Sequence, residues 1–181
     1  MTPTGKVLYV IVCAAGPAPD VGRLVTQAQA NGWTVQLIAT PPVLDFIDVG
    51  ALEQQTGAPV RSQYRKPGEP RSPRADAIIV APATYNTINK FAQGISDTYA
   101  LGLLAEAPGL KIPIVILPFV NSAFASRAPF RRSVDQLRDE GIHILLGPGE
   151  FEPHPPGTGN TSIDNYPWDL ALQRLKQAEI T

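Results

Sequence analysis

Hydrophobic residues along this chain form two kinds of pattern, one typical of strands and one typical of helices, and the two kinds alternate along the sequence. Continuous apolar runs rich in β-branched residues suit strands covered on both faces. Such runs occur at 7–14 and 77–81, mainly apolar segments at 33–39, 111–117 and 141–146 predict three more strands, and 57–60 predicts a short edge strand. Apolar residues at helical spacing fill 21–30, 43–55, 130–140 and 166–177. A further helix is expected to follow the turn at 84–87 and to continue past Asp97 through Leu104.

This alternation predicts a doubly wound α/β fold with a mostly parallel sheet. The first strand, a glycine loop, a helix and the second strand form a βαβ unit, with Asp20 as the expected N-cap of the helix. Pro82 is expected to end the strand at 77–81, because proline cannot donate to a ladder.

The length of 181 residues, 44% of them hydrophobic, fits a single domain over 1–181. Within this domain the sequence predicts a basic, proline-rich loop at 61–74, a glycine- and proline-rich loop at 147–165, and a C-terminal helix at 166–178. Loops as long as 147–165 often cover a site or wrap around a partner subunit.

Composition excludes several classes of function. The net charge is -1 and no basic block occurs, so a nucleic-acid partner is not expected. No apolar stretch reaches the roughly 18 residues of a membrane span, and the lone Cys13 is compatible with a cytoplasmic location. The apolar run at 7–15 imitates a signal peptide, but it leads directly into a helix and a second strand, which favours a buried first strand. The two histidines and Cys13 are too widely separated to predict a metal site.

Polar residues at the ends of the predicted strands indicate a ligand site, since open α/β sheets bind ligands beyond the carboxyl ends of their strands. Thr84, Asn86 and Thr87 follow the strand at 77–81. Gly16 lies in the loop after the first strand, where backbone N–H groups and a helix N-terminus can face a phosphate. That loop matches neither GxGxxG nor GxxxxGK[ST], so it does not predict a dinucleotide site or a P-loop.

Two further polar positions have a structural alternative. Thr40 follows the second strand and is either a ligand contact or an ordinary N-cap or turn hydroxyl. Asn121 follows the strand at 111–117 and is either a site residue or the cap of the next helix. In the basic loop, Arg61 or Arg65 either belongs to a mobile surface or meets a carboxylate or phosphate. His143, between apolar neighbours, is predicted to be structural.

Two segments resemble motifs of one protein family. The sequence PATYNT at 82–87 resembles the PASANT motif of the homo-oligomeric flavin-containing cysteine decarboxylases, which include phosphopantothenoylcysteine decarboxylase and the lantibiotic-peptide decarboxylases. Lys90, Gly94 and Asp97 continue the similarity at the family's spacing. The segment 118–124 resembles the second motif, in which a proline and an asparagine stand three residues apart.

The resemblance implies a Rossmann/flavodoxin-like domain that binds FMN. It also implies a homo-oligomer, a trimer or a multiple of trimers, with the flavin ring at a subunit interface. Asn121 is expected to hold the carboxylate of a small-molecule substrate and is the one catalytic candidate. The residues expected to contact FMN are Gly16, Thr40, Phe46, Pro82, Ala83, Thr84, Asn86 and Thr87.

Departures from the family pattern leave three functions open. Relatives carry a histidine shortly before the PASANT strand, and 57–76 contains none. Val120 and Phe124 replace the methionines of the second motif. Asn86 and Asn121 favour a flavin-dependent decarboxylase, whereas the missing histidine favours a catalytically inactive flavin-binding structural or regulatory subunit. A flavin prenyltransferase-like protein has less support, because Gly16-Pro17 replaces the glycine-serine loop expected there.

Overall fold

A computed structural model describes residues 5–178. It contains one five-stranded sheet, in the order β2-β1-β3-β4-β5, and every pairing is parallel. The strands are β1 (Val7–Val12), β2 (Thr34–Ala39), β3 (Ala77–Ala83), β4 (Ile114–Pro118) and β5 (His143–Ile144). The predicted doubly wound α/β architecture with a parallel sheet is therefore confirmed.

Helices cover the sheet in two groups, since α1 contacts α2 and α8, while α3 contacts α4 and α6. Their bounds are α1 (Gly22–Ala30), α2 (Val49–Thr56), α3 (Tyr85–Ala92), α4 (Tyr99–Glu106), α5 (Ser122–Ala125), α6 (Ala128–Asp139), α7 (Gly159–Ser162) and α8 (Trp168–Ala178). All residues of β1, β3 and β4 are buried. Burial on both faces explains why these strands are continuous apolar runs rather than alternating ones.

The expected edge strand at 57–60 does not form. Instead, Arg61 alone bridges to Ile38: Ala39 N donates to Arg61 O (2.7 Å) and Arg61 N donates to Leu37 O (3.0 Å). A single residue thus pairs with the carboxyl-terminal part of the free edge of β2.

Two predicted helices are each interrupted. The one expected over 43–55 becomes a 3-10 turn, Pro41–Asp45, followed by α2, whose N-cap Asp48 accepts from Ala51 N (3.0 Å). The one expected to run through Leu104 divides into α3 and α4. Gly94 adopts φ 70° after α3, and Thr98 then caps α4 by accepting from Leu101 N (3.2 Å).

Several predicted boundaries were also wrong. β3 continues through Pro82, because its carbonyl still accepts from Cys13 N (3.1 Å) although it lacks a donor. Asp20 lies in a 3-10 turn rather than at the N-cap of α1. The strand expected over 141–146 shortens to β5, and the final helix begins at Trp168 rather than Tyr166. No helix within 5–178 is long and apolar enough to span a membrane.

Candidate functional site

The carboxyl ends of four strands are joined in a row by backbone hydrogen bonds. Thr40 N, after β2, donates to Val12 O (3.0 Å), and Cys13 N, after β1, donates to Pro82 O (3.1 Å). Phe119 N, after β4, donates to Ala83 O (2.9 Å). The predicted residues Thr40, Pro82 and Ala83 therefore lie in a row at the carboxyl ends of the strands, which we call the carboxyl edge of the sheet.

Thr84 organises the turn that leads into α3. Its hydroxyl accepts from Thr87 N (3.2 Å), so it is the N-cap of the helix, and it lies 3.0 Å from the Thr87 hydroxyl. Behind it, the Cys13 thiol donates to Thr87 Oγ1 (3.4 Å). Burial raises the pKa of Cys13, against hydrogen bonds from Thr87 and Thr84 that lower it. The sulfur therefore stays a protonated donor at neutral pH and supports the turn.

Thr40 is buried and places its hydroxyl at the same edge, 3.3 Å from Val12 O, to which it donates. It occupies the N-cap position of the 3-10 turn Pro41–Asp45, but its side chain makes no capping hydrogen bond. The hydroxyl is therefore positioned by its hydrogen bond to Val12 O and not by capping the turn. Phe46, at the end of the same turn, remains 49% exposed.

Gly16 is exposed and lies against the loop at 147–165, which we call the strap. A Cβ atom at Gly16 would be 3.0 Å from Ile163 Cδ1 and 3.4 Å from Phe119 Cε1. The glycine therefore allows the strap to approach the loop after β1 closely. The predicted phosphate loop and the strap thus share one side of the molecule.

The strap is fixed to the end of β4. Ser122 N donates to His154 O (2.8 Å), and the Phe151 ring lies 5.8 Å from that of Phe119. Just beyond the strap, the Tyr166 hydroxyl donates to Leu117 O (2.6 Å) in the core. Burial raises the pKa of Tyr166 well above its usual value, with the neighbouring Cys13 adding to the effect, so this hydroxyl is a permanent donor.

Asn121 bridges to the strap through its backbone and caps α5 through its side chain, with Oδ1 accepting from Phe124 N (3.0 Å). The capping alternative is observed, but it engages only the oxygen of the carboxamide. The two donors on Nδ2 are the groups with which Asn121 would hold a carboxylate. Asn86, by contrast, is exposed on the first turn of α3.

His154 is the residue that sequence reasoning missed. Its ring lies 4.7 Å from that of Phe119, and its backbone pairs with Asn121. Within the described residues its Nδ1 is buried without a hydrogen-bond partner, and burial lowers its pKa. The only sequence signal was a histidine between two prolines in a loop too long to be a simple connector.

The polar groups of this edge are hydroxyls, a carboxamide and backbone amides, with no charged side chain among the predicted contacts. Such neutral donors and acceptors match the polar edge of a heterocyclic ring better than they match a cation. Among residues 5–178 no group of three or more His, Cys, Asp or Glu side chains is placed to hold a metal ion.

Comparisons with known proteins give one consistent set of relatives. The model of the family described as Flavoprotein matches residues 2–164. The coenzyme A biosynthesis bifunctional protein CoaBC of Thermococcus kodakarensis is 26% identical over 148 residues, 78% of this chain and 36% of that protein. A probable phosphopantothenoylcysteine decarboxylase of Streptococcus mutans is 27% identical over 128 residues, 66% of this chain and 69% of the relative.

A solved structure extends the similarity to the fold. The FMN-dependent cysteine decarboxylase SpaF superposes with a TM-score of 0.66 at 22% identity, covering 94% of this chain and 98% of SpaF. The predicted Rossmann/flavodoxin-like fold is thereby confirmed. In sequence, the chain spans little more than a third of the CoaBC relative that it matches.

Proposed function

Since the chain belongs to the Flavoprotein family, we propose that it binds FMN at the carboxyl edge of β1, β2 and β3. One observation supports this most directly: Thr40, Pro82, Ala83 and Thr84 are held in a row along that edge by the backbone of β1 and β3. Ligands of open α/β sheets bind at such an edge. The FMN-dependent relative SpaF shares the fold.

We propose further that the protein is a flavin-dependent decarboxylase that acts on a small carboxylate. Bound FMN would supply a two-electron acceptor, which is chemistry that belongs to the cofactor. The chain itself contributes Asn121, whose Nδ2 group donates to the substrate carboxylate. It also contributes His154, which lies on the strap beside Asn121. This residue would supply an imidazole in place of the family histidine that is missing from 57–76. Because burial lowers its pKa, His154 is neutral near pH 7 and able to accept a proton.

Anaerobic assays with a panel of cysteine-containing carboxylates test this activity. The panel contains phosphopantothenoylcysteine and a peptide with a carboxyl-terminal cysteine. An active enzyme releases one CO₂ for each flavin that loses its oxidised absorption band. If flavin is bound but no member of the panel reduces it or releases CO₂, the decarboxylase proposal is wrong.

The Asn121→Asp variant tests the proposed carboxylate contact. Asp keeps an oxygen that caps α5, but it removes the two Nδ2 donors and adds a negative charge. We expect the free energy of unfolding to stay nearly unchanged while flavin reduction slows by at least tenfold. An unchanged rate would exclude Asn121 from substrate binding.

A catalytically inactive flavin-binding subunit is the second candidate. The absence of a histidine from 57–76 and the replacement of motif methionines by Val120 and Phe124 favour it. This candidate predicts stoichiometric flavin with no reduction by any thiol carboxylate. The assays above therefore separate it from the enzyme.

We also propose a homo-oligomer, built from trimers, in which a neighbouring subunit completes the site. Three large apolar side chains near the proposed site stay exposed: Leu44 (37%), Phe46 (49%) and Phe124 (47%). Exposed apolar side chains of this size are available to an interface with another subunit.

A further inference from the structure

A cavity of about 240 Å³ lies between the basic loop at 61–74 and the phenol rings of β1 and α4. Its wall includes the side chains of Arg61, Arg65, Arg71, Ser72, Tyr9 and Tyr99. Three of these side chains carry a positive charge and the other three carry hydroxyl groups. No acidic side chain is part of the described lining.

One carboxylate lies beside the cavity and offsets part of this charge. Glu69 Oε2 is 3.4 Å from Arg61 Nη1, and it also accepts from Lys66 N (3.0 Å), which folds the turn at 66–69. Arg65 donates to the Glu69 backbone carbonyl (3.3 Å), which carries no net charge. The three arginines and Glu69 together therefore leave an excess of positive charge at the wall.

The inner wall consists of hydroxyl groups that stay protonated. Tyr9 is buried and donates to Pro73 O (2.6 Å). Burial raises the pKa of both Tyr9 and Tyr99, although Ser72 and the Arg61 guanidinium oppose the shift. Neither phenol therefore becomes a negative charge near pH 7. An anion that enters meets hydroxyls and guanidinium groups.

Tyr64 forms the outer wall. Its ring lies 5.2 Å from that of Tyr99 in an edge-on arrangement, and its hydroxyl lies directly over Gly102 of α4. A Cβ atom at Gly102 would overlap that hydroxyl, so the glycine allows Tyr64 to lie on the helix.

This cavity connects with the proposed flavin edge. A second cavity, of about 360 Å³, shares Gln63, Tyr64 and Tyr99 with the first and extends to Pro41, the residue after Thr40. Asp97 lines that second cavity, but its carboxylate is paired with Lys90. The shared wall thus places the basic cavity on the side of the molecule that leads towards Thr40.

We propose that the cavity walled by Arg61, Arg65 and Arg71 binds the anionic group, a carboxylate or a phosphate, of a small substrate. This anion site is separate from Asn121 and gives the substrate a second point of attachment. Guanidinium groups suit this role because their planar donors match carboxylate and phosphate oxygens. The inference deepens the proposed function and rests on it for the neighbouring flavin.

Calorimetric titration of the purified holoprotein with inorganic phosphate and with succinate tests the site. The two titrations distinguish phosphate from carboxylate as the recognised group. We expect saturable binding of at least one anion to the wild type. Absence of saturable binding for both anions overturns the inference.

A double variant, Arg65→Gln with Arg71→Gln, provides the second arm. Both side chains are exposed, so their loss should leave the fold intact, as circular dichroism can verify. The variant removes two guanidinium groups that would donate to the anion, so we expect affinity to fall by at least tenfold. Arg132→Gln, at an exposed position of α6, is the matched control and should bind as the wild type does. Equal losses in both variants would show a general charge effect and contradict the site.

Flavin absorbance measured on the same samples separates the two proposals. Saturable anion binding by a protein that takes up no FMN when FMN is added would support the cavity and refute FMN binding. Bound flavin without anion binding would refute the cavity and leave the proposed function intact.

Discussion

Thr84 has two roles that a single substitution can separate. Its hydroxyl caps α3 and lies at the proposed flavin edge. We predict that Thr84→Ala lowers the free energy of unfolding by about 1 kcal/mol, the usual cost of a lost N-cap, and also weakens FMN binding. Urea denaturation and a flavin titration measure the two effects.

Asp48→Ala is the control, because Asp48 caps α2 through an equivalent hydrogen bond, accepted from Ala51 N at 3.0 Å. It should lose similar stability while keeping its flavin affinity. If both variants bind FMN equally well, Thr84 is a cap and not a ligand contact.

His154 makes stability depend on pH in a defined direction. Burial depresses its folded pKa below the ordinary 6.5. The resulting stabilisation is present above pH 6.5 and is lost as pH falls through the folded pKa, because the unfolded chain then binds the proton more readily. We predict that the stability difference between wild type and His154→Gln shrinks between pH 7.5 and pH 5.

NMR titration of the imidazole gives the direct measurement. A midpoint below 6.5 agrees with the half-buried position beside Phe119, and a midpoint at or above 6.5 contradicts it. If His154 also acts as a base, the pH profile of flavin reduction changes in His154→Gln, which a purely structural histidine would not cause.

At the residue scale, the sequence predicted where the residues after β2 and at the end of β3 would lie, but it did not predict the position of the His154 imidazole. Thr40, Pro82, Ala83 and Thr84 lie together at the predicted edge, because the ends of adjacent parallel strands must meet there. His154 could not be placed, since its position depends on how the strap folds back over β4. No periodic pattern encodes such a return.

At the scale of elements, Gly94 decides where α3 ends. Its φ of 70° is a left-handed conformation, and a Cβ atom there would meet nothing within 4 Å among residues 5–178. The cost of Gly94→Ala is therefore backbone strain alone, about 1–2 kcal/mol, which thermal or urea denaturation can measure.

Gly109→Ala is the matched control, because its φ is not in that region and its Cβ would be an ordinary 3.5 Å from Glu106 O. The control should cost clearly less. If the two variants are equally stable, Gly94 does not enforce the break between α3 and α4.

The elements that were predicted well are those buried on both faces. β1, β3 and β4 appear as continuous apolar runs because helices cover both sides of the sheet. The errors lie where local turn chemistry overrides periodicity. The break after α3 depends on Gly94 and Thr98. The segment at 57–60 forms no strand, and only the next residue, Arg61, pairs with β2. Hydrophobic spacing does not record either effect.

At the scale of the whole molecule, we predict assembly into trimers or multiples of trimers. Light scattering after gel filtration should then give the mass of three 19.4 kDa chains or a multiple of it. Phe46→Glu, at a 49% exposed position, should lower that mass, because a charge at an apolar interface is costly to bury. A monomer in the wild type would contradict the proposed interfacial site.

FMN binding itself is the claim on which the remaining proposals depend. Titration of flavin-free protein with FMN, followed by the change in flavin fluorescence, measures it directly. We predict saturation at one FMN per chain and weaker binding by Thr84→Ala than by Asp48→Ala. Fluorescence that shows no saturable change, with a protein that is folded by circular dichroism, would contradict it.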